Sequence, residues 1–148
     1  MILIPTSVRP SARHGLGLYA EIAIPMGHLL WRFDASVDHR QEIAPGLNWQ
    51  RRSELLHWGY VNPSVPNSVV VCGDSSRFWN FSSADEQPNA VISHQRYAGE
   101  HLILAARDIA AGEELLIEPA SDLDYSRKMQ EFSAGGLRTL GSMLPVAC

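Results

Sequence analysis

Apolar residues in this chain come in short bursts separated by glycine, proline or charge, the spacing of a protein built from short strands. Leu16 to Ile24 alternates loosely and predicts a strand that Pro25-Met26-Gly27 brings to a turn. His28 to Phe33 is a second apolar run. Ser68 to Cys72 is rich in β-branched residues and bounded by Asn67 and Gly73-Asp74, which predicts a buried strand. Ala90 to His94 and His101 to Ala106 flank Tyr97-Ala98-Gly99-Glu100 and predict a hairpin. Leu115 to Glu118 is a last strand, entered through the Ala111-Gly112 turn. Helices are fewer. Residues 47–58 hold the first, with Leu55, Leu56 and Trp58 as its apolar positions. Ser121 with Asp124 resembles a capping pair that opens a second helix over Tyr125 to Phe132, and Ala134-Gly135-Gly136 ends it. The pattern predicts a mainly β fold with short helices.

Composition narrows this picture. A chain of 148 residues that is 45% hydrophobic suits a single domain with its own core, here 1–148. Charged residues at 19%, beside 11 Gly and 9 Pro, argue against a helical bundle or a disordered chain. The net charge of −4 argues against direct binding to nucleic acid, and the Arg51-Arg52 pair reads as a solvated helix face. Cys72 and Cys148 are too few for a disulfide framework or a four-cysteine zinc site, so neither is expected and a reducing compartment is. Met1 to Pro5 lacks the apolar run of a signal peptide, and no stretch nears the ~20 apolar residues that span a bilayer. A cytoplasmic protein without a membrane partner is expected, its oligomeric state unspecified.

Two motifs suggest chemistry by themselves, and both are weak. Gly15-Leu16-Gly17-Leu18-Tyr19-Ala20 fits the dinucleotide pattern G-x-G-x-x-G/A. That site needs a buried strand before it and a helix after it; residues 9–14 are too polar for the first, and Pro25 and Gly27 stop the second. The glycines read better as a tight turn into a strand, whose amides can approach a carboxylate. A hydrolase would need an activated nucleophile. No G-x-S-x-G elbow occurs, and Cys72 follows a buried-strand run, where inert packing is the usual role.

Three segments in fixed order say more. The glycine pair leads to Ile22-Ala23-Ile24-Pro25-Met26-Gly27. Next comes Gly73-Asp74-Ser75-Ser76-Arg77-Phe78-Trp79-Asn80-Phe81-Ser82 with Pro88-Asn89-Ala90, then Ala106-Arg107-Asp108-Ile109-Ala110-Ala111-Gly112-Glu113-Glu114-Leu115. Together they resemble the SET domain, whose blocks read roughly GxGxxA, RFxNHSCxPNA and ARDIxxGEELTxDY. The resemblance covers about residues 13–119, leaving a C-terminal helix and tail at 120–148. It implies a β-clip fold of small sheets with a C-terminal pseudoknot. It also implies S-adenosylmethionine as cofactor and methyl transfer to a lysine of a protein or peptide substrate. The alternative is a SET-like cofactor- or peptide-binding module with lost or reduced catalysis.

By the same resemblance, Gly15, Leu16 and Gly17 would contact the methionine end of the cofactor, and Asn80 and Phe81 its amino group and adenine. Arg77, Glu113 and Glu114 would hold the knot together, Phe78 and Trp79 would be core, and Phe132 or Met129 would cover the adenine. The chain departs from the pattern in places. Pro119 stands where the family's main tyrosine closes the last block, Phe81 replaces a histidine, and Ser83 stands near a usual cysteine. Ala84 to Gln87 adds residues before Pro88-Asn89, and Phe33 lies near a position where many relatives carry tyrosine. Tyr125, six residues past Pro119, is the phenol expected to act, with Tyr19 and Tyr97 also near candidate segments. Only Cys148 could serve a C-terminal zinc site that takes four ligands, so no metal is expected.

Overall fold

The computed structural model describes residues 1–61 and 68–118. In chain order its elements are β1 (Thr6–Pro10), β2 (Leu16–Ala20), β3 (Leu29–Trp31), β4 (His39–Glu42), the helix α1 (Trp49–Trp58) and β5 (Gly59–Val61). They continue with β6 (Ser68–Val71), a 3-10 turn at Ser75–Phe78, β7 (Asn80–Phe81), β8 (Ala90–Tyr97), β9 (Glu100–Ala105) and β10 (Leu116–Ile117).

These strands make three small sheets. β1 and β2 form an antiparallel hairpin, Thr6 facing Ala20 and Pro10 facing Leu16. Its turn closes where the Ser11 N–H donates to the Gly15 carbonyl at 2.9 Å. Gly15 has φ +50°, a left-handed conformation in which a Cβ is costly. A second sheet orders its strands β4-β6-β5, antiparallel throughout. Its centre is β6, where Val69 and Val70 are almost fully buried, as the β-branched run predicts. The third sheet runs β3-β9-β8-β10-β7. β8 and β9 pair antiparallel as the expected hairpin, through a turn with Ala98 at φ +51° and Gly99 at φ +85°.

The position of β10 gives the fold its character. It lies between β7 and β8 and parallel to both, Leu116 facing Asn80 and Ile117 facing both Phe81 and Ala90. β7 and β8 are neighbours in sequence, so their connection, residues 82–89, has to cross the strand inserted between them. This is the crossing that a C-terminal pseudoknot implies. Asn89 secures it. Fully buried, it accepts the Leu116 N–H on Oδ1 at 2.7 Å and donates from Nδ2 to the Glu114 carbonyl at 2.7 Å and to Glu113 at 3.0 Å.

The main core gathers Leu18, Leu30, Trp31, Ile109 and Leu115 with Val70, Ala90 and Ala105, so it is shared by all three sheets. A smaller cluster, Leu55, Leu56, Val61 and Val69, seats α1 on the β4-β6-β5 sheet. The helix starts two residues inside its expected span because Asn48 is its cap, accepting the Arg51 N–H at 2.8 Å.

The sequence expectations need adjusting at several boundaries; β8, for one, runs on past His94 to Tyr97. β2 ends at Ala20, not Ile24, which instead forms an isolated bridge with Ile109. β3 is limited to Leu29–Trp31, and β10 begins at Leu116, one residue late. Four strands, β1, β4, β5 and β7, have no counterpart among the predicted elements, because they are polar, very short or continuous with a helix. The helix expected over Tyr125 to Phe132 lies outside the described residues.

Candidate functional site

The three segments that carry the resemblance come together in space. The β2 strand ladders onto the last block: the Leu115 N–H donates to the Leu18 carbonyl at 2.7 Å, and the Ala20 N–H to the Glu113 carbonyl at 2.9 Å. β7 pairs with β10 just past Glu114. Asn80 joins all three. Its side chain, 3% exposed, donates from Nδ2 to the His14 and Leu16 carbonyls at 3.3 and 3.1 Å and to Glu114 Oε1 at 2.7 Å.

Local structure explains how Asn80 is placed. Asp74 caps the 3-10 turn that precedes it, accepting the Ser76 N–H at 2.9 Å and the Ser76 hydroxyl, and it also accepts the Ile2 N–H at 2.8 Å. Burial raises the Asp74 pKa, but these donors outweigh it and leave the carboxyl below its ordinary value. Arg77 within that turn donates to the Cys72 carbonyl and lies 5.3 Å over the Trp58 ring. Phe78 and Trp79 pack against the main core, in keeping with the core role expected of them.

Glu114 is the second centre of the site. Beyond Asn80 it accepts the Ser11 hydroxyl at 3.1 Å and the Tyr19 hydroxyl at 3.3 Å, and Arg13 Nε lies 3.7 Å away. Burial and the Glu114 carboxylate together raise the Tyr19 pKa, so the phenol keeps its proton and donates it to that carboxylate. Gly17 makes this possible, since a Cβ there would come within 2.1 Å of Glu114 Oε1. The glycine is therefore needed for the carboxylate, whatever else approaches it. Arg13 also pairs with Glu86, which lies in the added stretch Ala84–Gln87.

Glu113 turns the other way. It accepts from Arg107, from Asn89 and from the Ala110 N–H at 2.9 Å. Burial pushes its pKa up, but those three donors prevail and hold it at about 2. Glu113 and Glu114 thus tie the last block to its neighbours, as expected of charges that need partners.

Of the expected cofactor contacts, Gly15, Leu16, Gly17 and Asn80 lie in this one assembly. Phe81 follows Asn80 in β7, half-buried against the core opposite Ile117. Tyr125, Phe132 and Pro119 lie outside the described residues. Ser11, Arg13 and Glu86 were not singled out from sequence. Their only signal there is position, two of them in the turn before Gly15 and one in the insertion. Cys72 is buried, and burial pushes its thiol up to about 12, the setting of a packing residue and not of a nucleophile. Among the described residues no cluster of histidine, cysteine and carboxylate suits a metal ion, and no helix is long and apolar enough to cross a membrane.

The sequence matches the SET domain family over residues 15–118, most of the chain and all three blocks. The chain belongs to the SET-domain family. A solved structure of a Plasmodium falciparum protein, described as a candidate histone methyltransferase, shares its fold. That protein aligns with a TM-score of 0.54 at 16% identity, over 79% of this chain and 94% of its own. No curated protein matches the sequence. In this SET domain the early glycine block forms the second strand of an antiparallel hairpin, which disposes of the dinucleotide frame: the motif is itself a strand, and no helix follows it before β3. The β10 insertion and the small sheets are the β-clip architecture that the resemblance implies.

Proposed function

We propose that this SET domain binds S-adenosylmethionine and transfers its methyl group to a lysine side chain of a protein or peptide. One observation carries the reading: the Asn80 amide. Its Nδ2 is committed to three acceptors, while no described residue donates to Oδ1. An acceptor left open beside a glycine hairpin suits an ammonium, and the backbone amides of such a hairpin suit a carboxylate. The residues present therefore fit an amino-acid end group, with Gly15, Leu16, Gly17 and Asn80 holding it, and Phe81 and Phe132 proposed for the adenine. When bound, the cofactor supplies a methyl group activated on a sulfonium.

What remains for the protein is to deprotonate, align and shield a lysine amine. A lysine has an ordinary pKa near ~10.4, so an apolar channel that disfavours its charged form is required. Alignment at about 3–3.5 Å supplies much of the remaining acceleration. A phenol oxygen that accepts from the amine would orient it. The chain has four tyrosines. Tyr19 is held by Glu114, Tyr60 by the buried carboxylate of Glu100 at 3.0 Å, and Tyr97 stands exposed in its hairpin under the Arg32 guanidinium. That leaves Tyr125 as the proposed orienting residue.

Pro119 favours a second reading, a module that binds cofactor or peptide with reduced turnover, because the position lacks a hydroxyl. Calorimetric titration with S-adenosylmethionine, followed by methyl incorporation into a lysine peptide array, separates the two. Saturable binding with incorporation, abolished in Tyr125→Phe, is expected. Binding without incorporation on any peptide favours the second reading, and absence of binding removes both.

A further inference from the structure

We propose that Glu114 is a positioning residue for ligand recognition, fixing the Asn80 amide so that Oδ1 and not Nδ2 is offered to a ligand ammonium. The inference rests on the methyl-donor reading above and concerns the same site.

An asparagine amide has two faces of opposite character, and the difference decides what it can bind. Around Asn80 Nδ2 stand three acceptors, the His14 and Leu16 carbonyls and Glu114 Oε1. A flipped amide would set its oxygen against all three, so the donor face must point inward. Glu114 contributes the shortest of these contacts, 2.7 Å, and the only charged one. It also polarises the amide, which makes the outward oxygen a better acceptor for a cation.

The carboxylate is itself held from the glycine hairpin. Ser11 and Tyr19 donate to Oε2 and Arg13 stands 3.7 Å from it, while Gly17 leaves the space that Oε1 occupies. The hairpin thus acts through its side chains as well as its backbone: it grips the group that orients Asn80.

Two nucleoside ligands test this. S-adenosylhomocysteine keeps the amino-acid end, whereas 5′-methylthioadenosine keeps the adenosine and thioether but lacks the ammonium and carboxylate. By calorimetry, Glu114→Ala is expected to weaken S-adenosylhomocysteine roughly ten- to a hundredfold, the range for losing a charged hydrogen bond, and to leave methylthioadenosine unchanged. Glu114→Gln is expected to recover part of the affinity, because its amide oxygen can still accept from Asn80, and the Ser11 and Tyr19 hydroxyls can donate or accept, while the charge is lost. Glu114→Asp keeps the charge but stops short of Nδ2. It is expected to show the same selective loss, and it carries the test if the alanine variant does not fold. Equal weakening of both ligands, or no recovery with glutamine, overturns the positioning role and leaves Glu114 as a structural brace. A wild-type chain that binds neither ligand removes the methyl-donor reading itself.

Discussion

Ala98 is the one described residue other than glycine with a positive φ, +51°, and it sits beside Gly99 at +85° in the β8–β9 turn. Two successive left-handed residues are the pattern of a type I′ hairpin, which favours Asn-Gly. The Ala98 carbonyl also accepts from Arg40 at 3.0 Å, so the turn is held in place and the strain is not relieved by movement. Ala98→Asn is expected to stabilise the protein by roughly 0.5–1 kcal/mol, seen as a higher urea midpoint with an unchanged slope. The hairpin was visible in the sequence but this strain was not, because alanine gives no sign of its φ. The same limit applies at the site. Asn80 and the glycines stood out by motif, whereas the orientation of the Asn80 amide depends on Glu114, thirty-four residues later, and emerges only when the two meet.

At the scale of elements, hydrophobic patterning found the strands that bury a face and missed those that do not. β6 and β9 were legible because valine, isoleucine and leucine mark them. β4, His39 to Glu42, is polar throughout and mostly exposed, and what makes it a strand is its pairing with β6, from His39 opposite Val71 to Glu42 opposite Ser68. Such polarity protects an edge from pairing with other chains. β1 is similar, a polar partner laid on β2. Gly73 shows how closely the elements meet. A Cβ on it would lie 1.8 Å from the Val37 carbonyl oxygen, a backbone atom that cannot swing aside. Gly73→Ala is expected to cost at least ~1–3 kcal/mol, read from chemical denaturation, and an unchanged midpoint would show that the β4 approach can shift freely.

For the whole molecule, two polar centres tie separate segments together. Glu100, buried in β9, accepts from Arg40 in β4 at 2.8 Å and from Tyr60 in β5 at 3.0 Å, joining the three-stranded sheet to the five-stranded one. Burial and the nearby Glu100 carboxylate raise the Tyr60 pKa, so that phenol remains a donor at any physiological pH. The second centre, Glu113, is acid-sensitive. Its folded value of about 2 lies below the ordinary 4.5, so its contribution is complete above pH 4.5 and is lost as pH falls toward 2. The unfolding midpoint is expected to drop across that window. Glu113→Gln should be less stable at neutral pH and show a shallower acid decline, and parallel pH profiles for the two proteins would count against the assignment.

The insertion of β10 between β7 and β8 also bears on how the protein is made. During translation β7 and β8 leave the ribosome well before Leu116 and Ile117 do, and until then nothing holds them at their final spacing. The five-stranded sheet therefore cannot close before β10 has emerged. Its completion waits for a late segment to be drawn under the 82–89 crossing, a long-range and intrinsically slow step during which the unfilled gap is open to chaperones or to misassembly.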